Sequence, residues 1–168
     1  MDQIWSPWRY RYVTKQEALD SSAPLPGCVF CDLPAGEDDE KSLIVFRGKH
    51  NFVVLNLYPY TNGHLMVVPY AHVDSLTQAP PDALTELMQL ARRAEGALRA
   101  VYTPQGINLG MNLGECAGAG VAGHIHMHLL PRWFGDANFM TVVGETRVHI
   151  EQLPVTWKRL KEAFEARP

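Results

Sequence analysis

Long apolar runs, a strong charge bias and a cysteine framework are all missing from this sequence. No apolar stretch approaches the roughly 18 residues that a membrane-spanning helix needs, so no membrane partner is expected. The formal net charge is −3, which gives no electrostatic footprint for duplex nucleic acid. Cysteine is scarce: Cys28, Cys31 and Cys116 are the three in the chain. An odd count is a poor disulfide framework. The first residues, MDQIWSPWRYRY, are aromatic and basic where an export signal would carry an apolar core. The expectation is a reducing, cytoplasmic setting. No internal repeat is visible. What remains is 168 residues, 46% of them hydrophobic, enough for one domain with a proper core and too few for two.

That domain divides into three stretches. Residues 1–42 read as loop-rich, punctuated by Pro24, Pro26, Gly27, Pro34 and Gly36, with the acidic run Glu37 to Glu40 as a solvated loop. Residues 43–140 form the core. LIVFR (43–47) and FVVLNL (52–57) are β-rich and separated by Gly48 to Asn51, a hairpin pattern. YPYTNG (58–63) turns into HLMVVPY (64–70), a third strand. Residues 81–102 read as a long helix: Pro80 and Pro81 suit its first turn, and Leu84, Leu87, Met88, Ala91, Ala94, Leu98 and Val101 recur at helical spacing. Thr103-Pro104-Gln105-Gly106 ends it. INLGMNL (107–113) is a fourth strand, ECAGAGVAG (115–123) a loop of small residues, and HIHMHLLP (124–131) a fifth strand. Residues 141–168 are an extension with a second helix from Pro154 to Ala166, on the spacing of Trp157, Leu160 and Phe164.

The chemistry concentrates in His124, His126 and His128. On a strand these share one face, while Ile125, Met127 and Leu129 face the other way, into the core. Each two-residue step is roughly 6.7 Å, so the outer two histidines stand about 13 Å apart, too far to share one metal ion with the third from a straight strand. Three readings are open at this point: solvent-facing histidines, a catalytic metal site built on two of them, and an imidazole nucleophile acting near neutral pH. The loop Gly118 to Gly123 has almost no side-chain bulk and lets backbone N–H groups approach a phosphate. Beside three histidines it favours phosphate chemistry.

HIHMHLL, with the small-residue loop before it and Pro131 after it, resembles the histidine triad (HIT) family pattern. VVLNLYPYTNGHLMVVPYAHV (53–73) is similar to the family's Asn…Pro…Gly-His segment. The strings NLYPYTNGHLMVVPY and HLLPRWFGDANF look closest to the bacterial branch that includes diadenosine tetraphosphate phosphorylases and related hydrolases. The resemblance implies an α+β HIT-like fold, a five-stranded antiparallel sheet with one long helix and a C-terminal helix, assembled as a homodimer. It implies a nucleoside polyphosphate hydrolase or phosphorylase that works through a nucleotidyl-histidine intermediate. His126 would be the nucleophile, His128 would contact the phosphate and leaving group, and His124 would support them. Asn56 would hold the ribose, His64 would lie beside the nucleotide, and Asn112 with the backbone of Gly120, Val121 and Ala122 would line the phosphates. Mg²⁺ could accompany the substrate.

Two features complete the expectation. Many family members carry Gln four residues before the first histidine; here Gly120 occupies that place. That absence supports a second reading, a non-catalytic nucleotide-binding protein stabilised by zinc on the same fold. The second feature is the C-x-x-C of Cys28 and Cys31, which in isolation suits redox chemistry, zinc or neither. In family members with C-x-x-C, zinc binds those cysteines, a histidine after the Gly-His strand and the first triad histidine; here these are Cys28, Cys31, His72 and His124. A closed set of this kind would be structural. Trp5, Trp8, Tyr10 and Tyr12 are expected as core anchors at a dimer edge, with stacking on a base as the other reading. Arg9, Arg11 and Arg132 are the cations offered to distal phosphates, and Trp133 and Phe134 either cover the nucleotide or serve ordinary packing.

Overall fold

A computed structural model of the chain describes residues 27–144 and 151–166; Trp5, Trp8, Arg9, Tyr10, Arg11 and Tyr12, for which the sequence suggested roles, lie outside them. A short helix α1 (Val29–Asp32) precedes β1 (Ile44–Arg47), β2 (Asn51–Leu55) and β3 (Leu65–Pro69). Helix α2 (Pro81–Tyr102) follows, then β4 (Gly106–Met111) and β5 (Met127–Arg132), and finally α3 (Phe139–Val142) and α4 (Leu153–Glu165). The five strands form one sheet in the order β1-β2-β3-β5-β4, antiparallel at every pairing.

Strands β2 and β3 are buried along their whole length, so alternate residues serve two different apolar layers. Val53, Leu55, Leu65 and Val67 meet α2 through Leu87, Ala94 and Leu98, and Leu160 and Phe164 of α4 close the same layer. Phe52, Val54, Met66 and Val68 face the other way, into a smaller cluster with Ile44 and Phe30. Helix α2 has the expected bounds and ends at Thr103, whose left-handed backbone (φ 44°) precedes Pro104. Its buried stripe runs through Leu90 and Ala97 rather than Met88, which is half exposed because it falls one step off the face that α2 turns to the sheet.

Three expectations need correction. The stretch before residue 43 is not purely loop: Cys28 to Asp32 makes a helical turn that buries Phe30. The acidic run is not simply solvated, because Asp39 pairs with Arg47 at 2.8 Å and lies 3.6 Å from Lys161. The fifth strand starts at Met127, not His124. Its ladder with β3 runs from Leu65↔Leu129 to Val67↔Met127, and continuing it would set Ile125 against Pro69, which has no N–H to give. Instead the Ile125 amide donates to the Val73 carbonyl at 2.8 Å.

A histidine relay and a thiol–imidazole cluster

His124 and His126 therefore stand in the segment just before β5, and His128 is on it. The three rings share a neighbourhood but not a partner, and each partner dictates a tautomer. The ring of His124 lies against the Pro69 carbonyl, Nε2 to oxygen 2.8 Å. A carbonyl only accepts, so Nε2 holds the proton and Nδ1 carries the lone pair. The His126 ring places Nδ1 2.9 Å from the His124 carbonyl, so here Nδ1 holds the proton and Nε2 is the basic nitrogen.

His128 takes its tautomer from His64. The Tyr60 backbone N–H donates to His64 Nδ1 at 3.2 Å, which leaves the His64 proton on Nε2. That Nε2–H donates to His128 Nδ1 at 2.9 Å, so His128 in turn carries its proton on Nε2. His64 is fully buried. The Asn56 amide also approaches its Nδ1, at 3.3 Å, while Asn56 Oδ1 accepts from the Tyr58 N–H at 2.9 Å and shapes the turn. The rings of His126 and His128 are 4.8 Å apart and nearly perpendicular. The result is a basic nitrogen on His126 beside a donor on His128. Both rings are kept neutral: burial lowers the pKa of His126, and burial followed by the His126 ring brings His128 down to about 4.

The loop before the triad supplies backbone donors. The N–H groups of Ala117, Gly118 and Ala119 are satisfied by Gly114 and Glu115. Among the described residues, those of Gly120, Val121 and Ala122 meet no acceptor. Asn112 reaches this loop, donating to the Gly118 carbonyl at 3.3 Å. Gly118 itself needs a positive φ of 91°.

The second cluster is the thiol–imidazole group. Cys28 Sγ is 3.3 Å from His124 Nδ1, and Cys31 Sγ is 3.3 Å from His72 Nδ1 and 3.6 Å from His124 Nδ1. All four ligand atoms lie within 4.8 Å of one another. Tetrahedral zinc, with bonds of about 2.3 Å to sulfur and about 2.0 Å to nitrogen, sets sulfur and nitrogen about 3.6 Å apart. The lone pair of His124 already points at the thiols, as ligation needs. Burial, and next the adjacent Cys28, push the Cys31 thiol up from its ordinary value. The donor set fits a closed structural zinc.

Apart from Arg132, Trp133 and Phe134, the described site residues expected from sequence fall in one of these two clusters, the turn or the loop. Arg132 does not: Asp136 holds it at 2.6 and 2.8 Å and Asn108 at 2.8 Å, so it braces the end of β5. Phe134 projects into solvent and Trp133 meets Tyr102 edge-on. Three contributors were not legible beforehand: the Pro69 carbonyl, the Tyr60 amide and the Phe30 ring. Only Phe30 left a signal, as an aromatic residue inside a C-x-x-C.

Residues 37–135 match the HIT domain family. The chain is 41% identical over 162 residues to the AP-4-A phosphorylase of Mycobacterium tuberculosis, covering 95% of this chain and 82% of the relative. It is 31% identical over 106 residues to the protein hit of Bacillus subtilis, covering 63% of this chain and 71% of that one. Among solved structures, a Zn-bound histidine triad family protein from Mycobacterium smegmatis superposes with a TM-score of 0.68 at 26% identity, covering 83% of this chain and 94% of that chain. The family match spans more than half of the chain and the M. tuberculosis relative nearly all of it, and the chain belongs to the HIT domain family.

Proposed function

We propose that this chain cleaves nucleoside polyphosphates by two successive displacements at phosphorus, with His126 as the covalent nucleophile. The observation that carries the reading is the tautomer pattern: His126 presents a basic Nε2 while its neighbour His128 presents Nε2–H. In the first step His126 Nε2 attacks the α-phosphorus and the bond to the departing phosphate oxygen breaks. The His128 Nε2–H donates a hydrogen bond to that oxygen as charge develops on it. The N–H groups of Gly120, Val121 and Ala122 hold the phosphoryl oxygens, with Asn112 shaping their loop. Asn56 holds the ribose. Water or inorganic phosphate then attacks, the N–P bond breaks and His126 is regenerated. Diadenosine tetraphosphate is the first substrate to test, because the M. tuberculosis relative is named an AP-4-A phosphorylase. Mg²⁺ enters this reading only with the substrate's phosphates.

Cys28, Cys31, His72 and His124 would hold zinc, which supplies no chemistry at phosphorus and ties α1 to the segment before β5. A second copy would cover the β4 edge, where Leu109 is half exposed on the terminal strand of the sheet. The competing reading, nucleotide binding without turnover, draws on Gly120, which offers the phosphate no side-chain amide.

The test is product analysis after incubation with diadenosine tetraphosphate, with and without inorganic phosphate, beside His126→Ala. ADP plus ATP only when phosphate is present, lost in the variant, supports a phosphorylase; AMP plus ATP without phosphate supports a hydrolase. Tight binding with no turnover of this or other dinucleotides would leave the binding protein.

A further inference from the structure

The buried ring of Phe30 sits between the two clusters. Its centroid is 4.8 Å from the His126 ring, tilted by 46°, and 5.6 Å from the His124 ring, edge-on. His128 flanks His126 as well, 4.8 Å away. The nucleophile's ring thus has an aromatic contact from Phe30, a second from His128 and one hydrogen bond from Nδ1. That bond fixes which nitrogen is protonated only while the ring keeps its plane.

Phe30 belongs to α1, a helix of four residues. So short a helix has no stability of its own. It is held by the cysteines on either side of Phe30, through their approach to His72 and His124, and by the apolar cluster of Met66, Val54 and Ile44. The same two cysteines that gather the imidazole donors therefore aim a benzene ring at the neighbouring histidine.

We propose that Phe30 is a positioning residue for His126, and that metal ligation at Cys28 and Cys31 reaches the reacting nitrogen through this ring. Phe30 confines the imidazole to the rotamer in which Nδ1 meets the His124 carbonyl. The kinetic part of this inference rests on the proposed function; the structural part does not.

The experiment uses zinc-loaded protein labelled with ¹⁵N and compares wild type with Phe30→Leu, Phe30→Met and Phe30→Tyr. Long-range ¹H–¹⁵N spectra report the protonated nitrogen of each imidazole. Wild type and Phe30→Tyr, which keeps the ring, are expected to show His126 as the single Nδ1–H form. Phe30→Leu and Phe30→Met fill the space with flexible apolar groups, and are expected to show both tautomers in exchange. Chelation of wild type should produce the same mixing, reversed by zinc in wild type and not in Phe30→Leu. In turnover of diadenosine tetraphosphate, the two apolar variants should lose kcat by about 10- to 100-fold, the scale of a misplaced reacting group, with KM within twofold. A single unchanged tautomer in the apolar variants overturns the proposal. So does a rise in KM at constant kcat, which would make Phe30 a substrate contact, and so does failure of both apolar variants to fold, which would make it a core residue alone. If wild type turns over no dinucleotide, the proposed function falls and the tautomer spectra decide Phe30 by themselves.

Discussion

Gly63 and Gly96 invite the same substitution and should answer with opposite signs. Gly63 precedes the buried His64 and has a φ of +76°. A Cβ there would lie 2.8 Å from Tyr102 Cε2 and 3.1 Å from Leu98 Cδ2. Neither neighbour can retreat cheaply. Leu98 is fully buried, and Tyr102 is held by its hydroxyl donating to Glu151 at 2.5 Å, with the Arg159 guanidinium 5.0 Å from its ring centre. The left-handed backbone costs alanine about 1 kcal/mol, and overpacking against two pinned side chains about 2 kcal/mol. Gly63→Ala should therefore lose about 3 kcal/mol. Gly96 lies within α2, and no described residue comes within 4 Å of its would-be Cβ. Gly96→Ala should gain about 0.5–1 kcal/mol by helix propensity. Urea unfolding of both variants, fitted with a common m-value, should place them roughly 3.5–4 kcal/mol apart. A gap of about 2 kcal/mol or less would refute the packing argument, since the backbone terms by themselves span about 1.5–2 kcal/mol.

Three further outcomes follow. The folded pKa of His128 is about 4 against an ordinary 6.5, so the unfolded chain binds a proton that the folded one refuses, and stability should fall as pH drops from 6.5 towards 4; His128→Gln should flatten that part of the pH–stability curve, measured by urea midpoints. Metal analysis of protein purified without chelator should return one zinc per chain, and Cys31→Ser should lower that stoichiometry and the thermal midpoint together. His64→Phe keeps a buried ring but removes the donor to His128 Nδ1 and the Nδ1 acceptor that faces the Tyr60 N–H; it should lose about 1–3 kcal/mol of stability and, in dinucleotide turnover, lower kcat more than it raises KM.

Regular elements were legible because their periods are local. The bounds of α2 follow from Pro81 and from the Thr103-Pro104 stop, both of which act within a turn of the helix. Strands β2 and β3 announce themselves as short apolar runs between turns. Alternation predicted that Ile125, Met127 and Leu129 point into the core, and all three are buried. The strand assignment failed at His124 to His126, because the ladder stops where Pro69 has no donor, although both histidines still face Phe30 beside His128. The triad was visible as a pattern and the resemblance implied a role for each ring, yet the proton-bearing nitrogen of each ring was not visible. Which nitrogen each ring exposes depends on Pro69, Tyr60 and His64, and the chain brings these together only through the sheet. Phe30 went unread because a four-residue helix has no period to detect.

The stop at Pro69 also bears on the order in which the molecule forms. Hairpin β1–β2 and its continuation into β3 need only short loops, and α2 is a local element. The pairs that draw the first triad histidine into place, Cys28 with His124 and Cys31 with His124, join residues 96 and 93 positions apart. Because the ladder halts before reaching His126, sheet formation does not carry these histidines home. Closing so long a loop waits until the sheet and α2 have shortened the path between its ends. On this ground folding of the scaffold and completion of the site separate, and a chain with a finished sheet but an unformed thiol–imidazole cluster would look native by its secondary structure while lacking an ordered His126.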